Sequence, residues 1–350
     1  MSAPGRLASR GSVRLREYPV DAAWSPDGRS ILVGLADGSL AIVQPSMAQA
    51  PRYVQAHDQG LLALAWHKGG RFWASSGQDG CVLLWDARTE TPQQIHRDAQ
   101  WSEQLAFAER GGALAVATGR TLRIFDETAK LRYEHASAAG VITALLWHPR
   151  SVELVSAGNG GVLVHRPQLG QGPTSAPEPA STPEPRALPL RAACVCVAFH
   201  PEGRVLVAGL QEGSAHLWNL VTGSESSLDG HGSRVLATQW SASGRYLATA
   251  AGSVLALWDF GGRASLNAEV TRLEAHTERL TAIAFRPGGN GLASAARDRR
   301  LLWWRPGAGE SPQDAHLLPE ECSLLRFSRD GTHLAVGDAS GTLSMFRCQP

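Results

Sequence analysis

Along most of the chain, short runs in which apolar and polar residues alternate with the two-residue period of a β-strand are separated by turns rich in Pro, Asp and Gly. Eight segments share one order of elements. An alternating strand ends in Trp or Phe; a polar turn leads to a second strand rich in small and β-branched residues; a tight turn then leads to a third strand ending in an aromatic residue or its substitute. Residues 61–86, LLALAWHKGGRFWASSGQDGCVLLWD, are the clearest copy. The third-strand ends fall at Val43, Trp85, Phe125, His165, Trp218, Trp258, Trp304 and Phe346, with spacings of 42, 40, 40, 53, 40, 46 and 42 residues. A repeat of this length decides the fold before any single motif does.

Three copies end in Leu84-Trp85-Asp86, Leu217-Trp218-Asn219 and Leu257-Trp258-Asp259, and first-strand turns read Trp24-Ser25-Pro26-Asp27-Gly28, Trp147-His148-Pro149, Phe199-His200-Pro201-Glu202-Gly203 and Phe327-Ser328-Arg329-Asp330-Gly331. These residues resemble the WD-repeat family of β-propellers, and the match runs over nearly the whole chain. The resemblance implies an all-β fold, here a single eight-bladed β-propeller of four-stranded antiparallel blades. Seven blades, the commoner number in that family, is the alternative, because copy three (residues 104–126) is divergent. One such sheet cannot bury both faces alone, whereas copies in a ring cover each other and leave only short edges. For function the fold says little, since it hosts many activities.

The eighth copy stops at its third strand, while residues 13–18, VRLREY, echo the outer-strand segment Leu131-Arg132-Tyr133-Glu134. We therefore expect the N-terminal strand to complete blade eight, with residues 1–12 a flexible tail and 13–350 the propeller. The 53-residue spacing is explained by residues 167–186, PQLGQGPTSAPEPASTPEPR. Their prolines and lack of aromatics predict a disordered insertion between the third and outer strands of blade four, with docking of a proline-reading partner as the minority alternative.

Charge changes the picture by exclusion. With 33 basic and 32 acidic residues and no Lys/Arg block, the chain has little electrostatic reason to bind nucleic acid or an anionic membrane. Its longest apolar stretches, Leu61 to Trp66 and Val141 to Trp147, fall far short of the roughly 18 residues of a spanning helix. The N-terminus lacks the apolar segment of a secretory signal. Five cysteines without a CxxC pair make neither a disulfide framework nor a zinc site, so a cytoplasmic, reducing location is expected. Cys194 and Cys196, two apart on a strand, are expected to point to the same side as small buried hydrophobes.

In copy two, His57, Ser75, Asp79 and Trp85 occupy positions where WD repeats place a buried network; His276, Ser294, Asp298 and Trp304 repeat the set in copy seven. The resemblance implies that indole binds hydroxyl, hydroxyl binds imidazole and imidazole binds carboxylate. Ser, His and Asp also name a hydrolase triad, but a nucleophile must face a substrate pocket, and nothing like Gly-x-Ser-x-Gly is present. Copy six keeps His231, Thr249 and Trp258 with Gly252 near the acid position; copy five keeps Trp218 without a matching histidine. Of the twelve histidines, His57, His96, His135, His231, His276 and His316 lie near the starts of successive blades, which spreads them apart, so no metal site is expected, and rigid display of a surface needs no cofactor.

In resembling proteins the narrow face, where first strands begin and second strands turn into third, is the usual docking surface. Counting back from the first-strand aromatics, and adding the residue before each tight turn, gives partner-binding candidates Tyr18, Leu62, Gln78, Trp101, Glu103, Arg234, Arg279, Arg297 and Glu321. Arg234, Arg279 and Arg297 are expected to cluster on blades six and seven, and Tyr18, Leu62 and Trp101 to supply apolar contacts on blades one to three. Trp and Arg dominate binding hot spots. The bland alternative is that Trp101 packs into its own blade and the arginines pair with Glu278, Asp298 or solvent. The reading is a non-catalytic scaffold or adaptor, monomeric on its own, that binds a peptide or loop with acidic and apolar residues. Its rival is a propeller enzyme or small-ligand binder using the central channel.

Overall fold

Each copy folds as a meander because its tight turns permit nothing else. In copy two, Leu61–Trp66 pairs with Phe72–Gly77, which pairs with Cys81–Asp86, which pairs with Thr91–Arg97. Gly80 sits in the second turn at φ +77°, where an added Cβ would collide with the Asp98 carbonyl. The computed structural model of the protein describes residues 6–137, 140–169, 183–190, 192–261 and 268–349. Within them, eight four-stranded antiparallel sheets form the blades of a ring, an eight-bladed β-propeller. Blades one to seven cover residues 19–55, 61–97, 102–136, 142–188, 194–228, 235–273 and 280–317; blade eight covers 322–348 and borrows its outer strand from the N-terminus. No helix among the described residues is long and apolar enough to cross a membrane.

The core is divided into wedges between neighbouring blades. Ile31 and Val33 of blade one meet Leu324 and Met345 of blade eight, and Leu255 and Leu257 of blade six meet Leu292 and Trp304 of blade seven. Each junction repeats this packing with its own cluster. Inner strands touch the inner strands on either side and so form the lining of the channel.

Every inner strand carries a β-bulge at its start. Pro19 and Asp21 oppose the consecutive residues Leu35 and Gly34, and the same shift recurs in all eight blades. The extra residues are Val20, Leu62, Glu103, Thr143, Val195, Leu236, Thr281 and Ser323. A bulge reverses the alternation of side chains, which corrects one expectation. Cys194 opposes Leu210 and Cys196 opposes Gly209, so the two thiols face opposite sides of their sheet. Cys194 lies in the wedge toward blade four, while the Cys196 thiol is 3.8 Å from the Val235 carbonyl oxygen of blade six.

The ring closes as blade eight does, yet the closing strand is not where residues 13–18 suggested. It is Leu7–Arg14, antiparallel to Thr342–Cys348, so the flexible tail expected to reach residue 12 gives way to strand from Leu7. The physical reason is burial at both ends: Leu7 and Leu15 are sealed into the wedges on either side of blade eight. Between them Ser9, Arg10, Ser12 and Arg14 face solvent, leaving no apolar alternation to read. The strand is tied to both neighbours. The Asp314 carboxylate of blade seven accepts the Leu7 N–H at 3.0 Å, and the Arg16 guanidinium lies 4.0 Å over the Tyr53 ring of blade one. The long proline-rich segment falls between Gly161–His165 and Arg186–Leu188, third and outer strands of blade four; its residues 170–182 lie outside the described residues.

Removing residues 1–14 takes away a whole outer strand and the burial of Leu7, which alone is worth about 2 kcal/mol. The thermal midpoint of the truncated protein should fall by at least about 5 °C. An unchanged midpoint in a calorimetric scan would refute closure by this strand.

Candidate functional site

The two serine–histidine–aspartate sets form closed chains of hydrogen bonds. In blade two the Trp85 indole N–H donates to Ser75 Oγ at 3.0 Å, Ser75 is 2.9 Å from His57 Nε2, and His57 Nδ1 is 3.1 Å from Asp79. In blade seven the corresponding distances are 2.7, 2.8 and 3.0 Å through Trp304, Ser294, His276 and Asp298. Burial pushes both imidazoles below their ordinary value despite the neighbouring acids. Burial pushes Asp79 and Asp298 up, but backbone N–H groups of Cys81 and Asp58, or of Arg300 and Thr277, together with the imidazole, outweigh it and hold both carboxyls low. A neutral imidazole then donates from Nδ1 and accepts the seryl proton at Nε2. Ser75 and Ser294 are 0% exposed, and an indole already occupies each hydroxyl oxygen. A scissile carbonyl could not reach them, so the arrangement holds a blade together.

Blade four solves the same problem differently, and sequence reasoning missed how. His165 stands at the tryptophan position; Ser156 Oγ is 2.7 Å from its Nε2, and the Tyr133 hydroxyl of blade three is 2.9 Å from its Nδ1. Burial, aided by the nearby His135, pushes His165 down to about 3, and burial pushes Tyr133 up to about 12. The available signal was a serine retained on the second strand with a histidine at the aromatic position of the third. In blade six His231, Thr249 and Trp258 keep the first two links, at 2.8 and 2.9 Å, and His231 Nδ1 has no hydrogen-bond partner among the described residues.

On the narrow face, backbone bonds set the candidate side chains beside each other. The N–H of a second turn donates to the carbonyl just before the inner strand: Gln78 to Gly60 at 2.8 Å, Arg297 to Arg279 at 2.9 Å, Ala339 to Glu321 at 2.8 Å and Ala36 to Tyr18 at 3.0 Å. Two recesses result. One, of about 280 Å³, is lined by Tyr18, Leu236, Arg279, Arg297 and Glu321, from blades one, six, seven and eight. The other, of about 340 Å³, is lined by Trp101 and Glu103 of blade three together with Val141.

The grouping therefore differs from the one expected. Tyr18 joins the arginines instead of Leu62 and Trp101, because ring closure makes blade one a neighbour of blade eight. Arg297 pairs with Glu321 at 3.2 Å, not with Asp298, whose oxygens are held by His276 and two N–H groups. Arg279 and Arg234 are exposed without a charged partner among the described residues, and Arg234 lies outside both recesses. Trp101 is 48% exposed and lines the second recess. Leu62 and Gln78 are half-buried and line neither recess. Among the described residues no group of three or more His, Cys, Asp or Glu side chains is placed to hold a metal ion.

The family model described as "WD domain, G-beta repeat" matches residues 50–86, 190–219, 223–259 and 267–305. WD repeat-containing protein slp1 of Schizosaccharomyces pombe is 24% identical over 300 residues, covering 84% of this chain and 51% of that protein. Anaphase-promoting complex subunit cdc20 of Dictyostelium discoideum is 26% identical over 266 residues, covering 72% of this chain and 50% of that one. The chain thus spans about half the length of these relatives. A crystal structure of the computationally designed Ika8 protein superposes with a TM-score of 0.76 at 22% identity, over 95% of this chain and 97% of that one, a likeness of fold alone.

Asp298→Ala strands the His276 ring and two backbone N–H groups, so urea denaturation should show a loss of about 2–4 kcal/mol; unchanged stability would contradict the structural role. Acid should act through His165. Between about pH 6.5 and its folded value, the unfolded chain binds a proton there that the folded one excludes, so stability is full above pH 6.5 and falls as pH drops. His165→Phe should flatten that dependence by about 1.4 kcal/mol per pH unit, measured as the difference in denaturation free energy at pH 7 and pH 5.

Proposed function

Since this chain is a WD-repeat propeller with eight blades, we propose that it is a non-catalytic adaptor that binds another protein through the narrow face. The observation that carries this reading is the recess of about 280 Å³ in which Tyr18, Leu236, Arg279 and Arg297 converge from separate blades. An exposed arginine without a charged partner, beside an aromatic and a leucine, suits a peptide or loop with acidic and apolar residues. The rigid ring presents these side chains already placed, which lowers the ordering cost of association. Relatives named as a subunit of the anaphase-promoting complex and as a cell-cycle cofactor of it support a role in protein assembly.

The inner-strand carboxylate Asp21 argues for binding over channel chemistry. Its oxygens are held by the Leu64 N–H at 2.9 Å and the Arg326 guanidinium at 3.0 Å, so it is engaged in joining blades. A cytoplasmic location belongs to the same proposal, supported by five free cysteines.

In a pull-down from native cell extract, wild-type bait should retain a protein that a folded Arg279→Glu/Arg297→Glu variant loses. Equal recovery by both would move the interface off blades six to eight.

A further inference from the structure

The bulges at the eight inner-strand starts stand where the channel opens onto the narrow face, and each re-aims one side chain. Seven of those side chains are apolar or hydroxyl-bearing; Glu103 alone is charged. It is exposed and has no ion-pair partner among the described residues. Beside it in the same recess of about 340 Å³ are Trp101, 48% exposed, and Val141, 44% exposed. A carboxylate next to an open indole face attracts an organic cation twice over, by charge and by the ring quadrupole.

The place of this recess in the ring adds a second constraint. Blade three lies four blades from blade seven in either direction, so Glu103 and Trp101 stand across the channel mouth from Arg279 and Arg297. Glu321 answers Arg297 in the first recess and leaves Arg279 uncompensated there, so the two recesses are still of opposite charge on one face.

We propose that the partner segment carries a lysine or arginine side chain that enters the blade-three recess against Trp101 and Glu103, while acidic residues of the same segment meet Arg279 and Arg297 across the mouth. The inference deepens the adaptor reading and rests on the narrow face being the docking surface. It narrows the partner from an acidic, apolar peptide to one of mixed charge that spans the channel opening. The polarity also fixes direction, because a segment laid the other way sets its cation against the arginines and its acids against Glu103.

The test uses a random peptide library displayed on phage and selected on the whole protein, with Glu103→Arg, Trp101→Ala and Arg279→Glu/Arg297→Glu selected in parallel. All are exposed positions, and thermal midpoints matching wild type establish that each variant is folded. The wild-type pool should be enriched in peptides holding both a basic and an acidic residue. The strongest of these should bind Glu103→Arg at least about tenfold more weakly, and regain affinity when its basic residue is replaced by glutamate. Trp101→Ala should weaken the same peptide. Equal affinity for wild type and Glu103→Arg, a pool without basic residues, or no selected pool at all would overturn the proposal. The arginine variant separates the two readings. Binding kept there but lost in Glu103→Arg leaves a cation site on blade three but overturns the segment spanning the mouth, together with docking on blades six to eight; the reverse result removes the blade-three site and leaves the broader reading standing.

Discussion

Everything in this molecule depends on sheets having two apolar faces and only their neighbours to cover them. Leu, Val, Ile and Trp side chains on both sides of each blade are buried in wedges, and no wedge exists without the next blade. A single missing neighbour would expose two of them. The constraint explains why the serine–histidine sets inside blades two and seven are so fully bonded. Trp85, Ser75 and His57 are buried away from water, so their donors find acceptors within the blade, the last of them the partly exposed Asp79. Where the set is altered, the packing adapts, as when Tyr133 crosses from blade three to satisfy His165.

Much of this was legible in the sequence because aromatic strand ends and Pro-Asp-Gly turns are consequences of local geometry. Trp85 or Trp304 must fill a wedge, and residues such as Gly80 must turn where a Cβ does not fit. The closing strand was misread for the opposite reason. Leu7–Arg14 is half exposed, its alternation interrupted by the shift between Ser9 and Gly11, so it carries little apolar pattern. Bulges were equally hidden: Val20, Leu62, Val195 and Leu236 are apolar, and an extra apolar residue in an apolar run leaves no trace.

The candidate surface was half legible. Counting along the repeat reached Tyr18, Arg279, Arg297, Glu321, Trp101 and Glu103, because the repeat fixes which end of a strand a residue occupies. It did not reach which of these are neighbours, since that depends on closure. Tyr18 and Glu321 are three hundred residues apart in the chain and share a recess. Charge pairing was likewise beyond reach: Arg297 has Asp298 next to it in sequence but finds Glu321 on the adjoining blade.

The same closure governs how the ring can be made. Leu7 pairs with Cys348, so the strand that completes blade eight cannot find its place until nearly the entire described chain has emerged. During synthesis the early blades can stack pairwise, but the edge of blade one stays open while its partner is still being translated. Joining ends so distant in sequence carries a large loop entropy and is slow relative to the local hairpins. Ring closure therefore has to await the last blade, and until then the outward faces of the first and most recent blades have no neighbour to cover them, which is the surface a chaperone would bind.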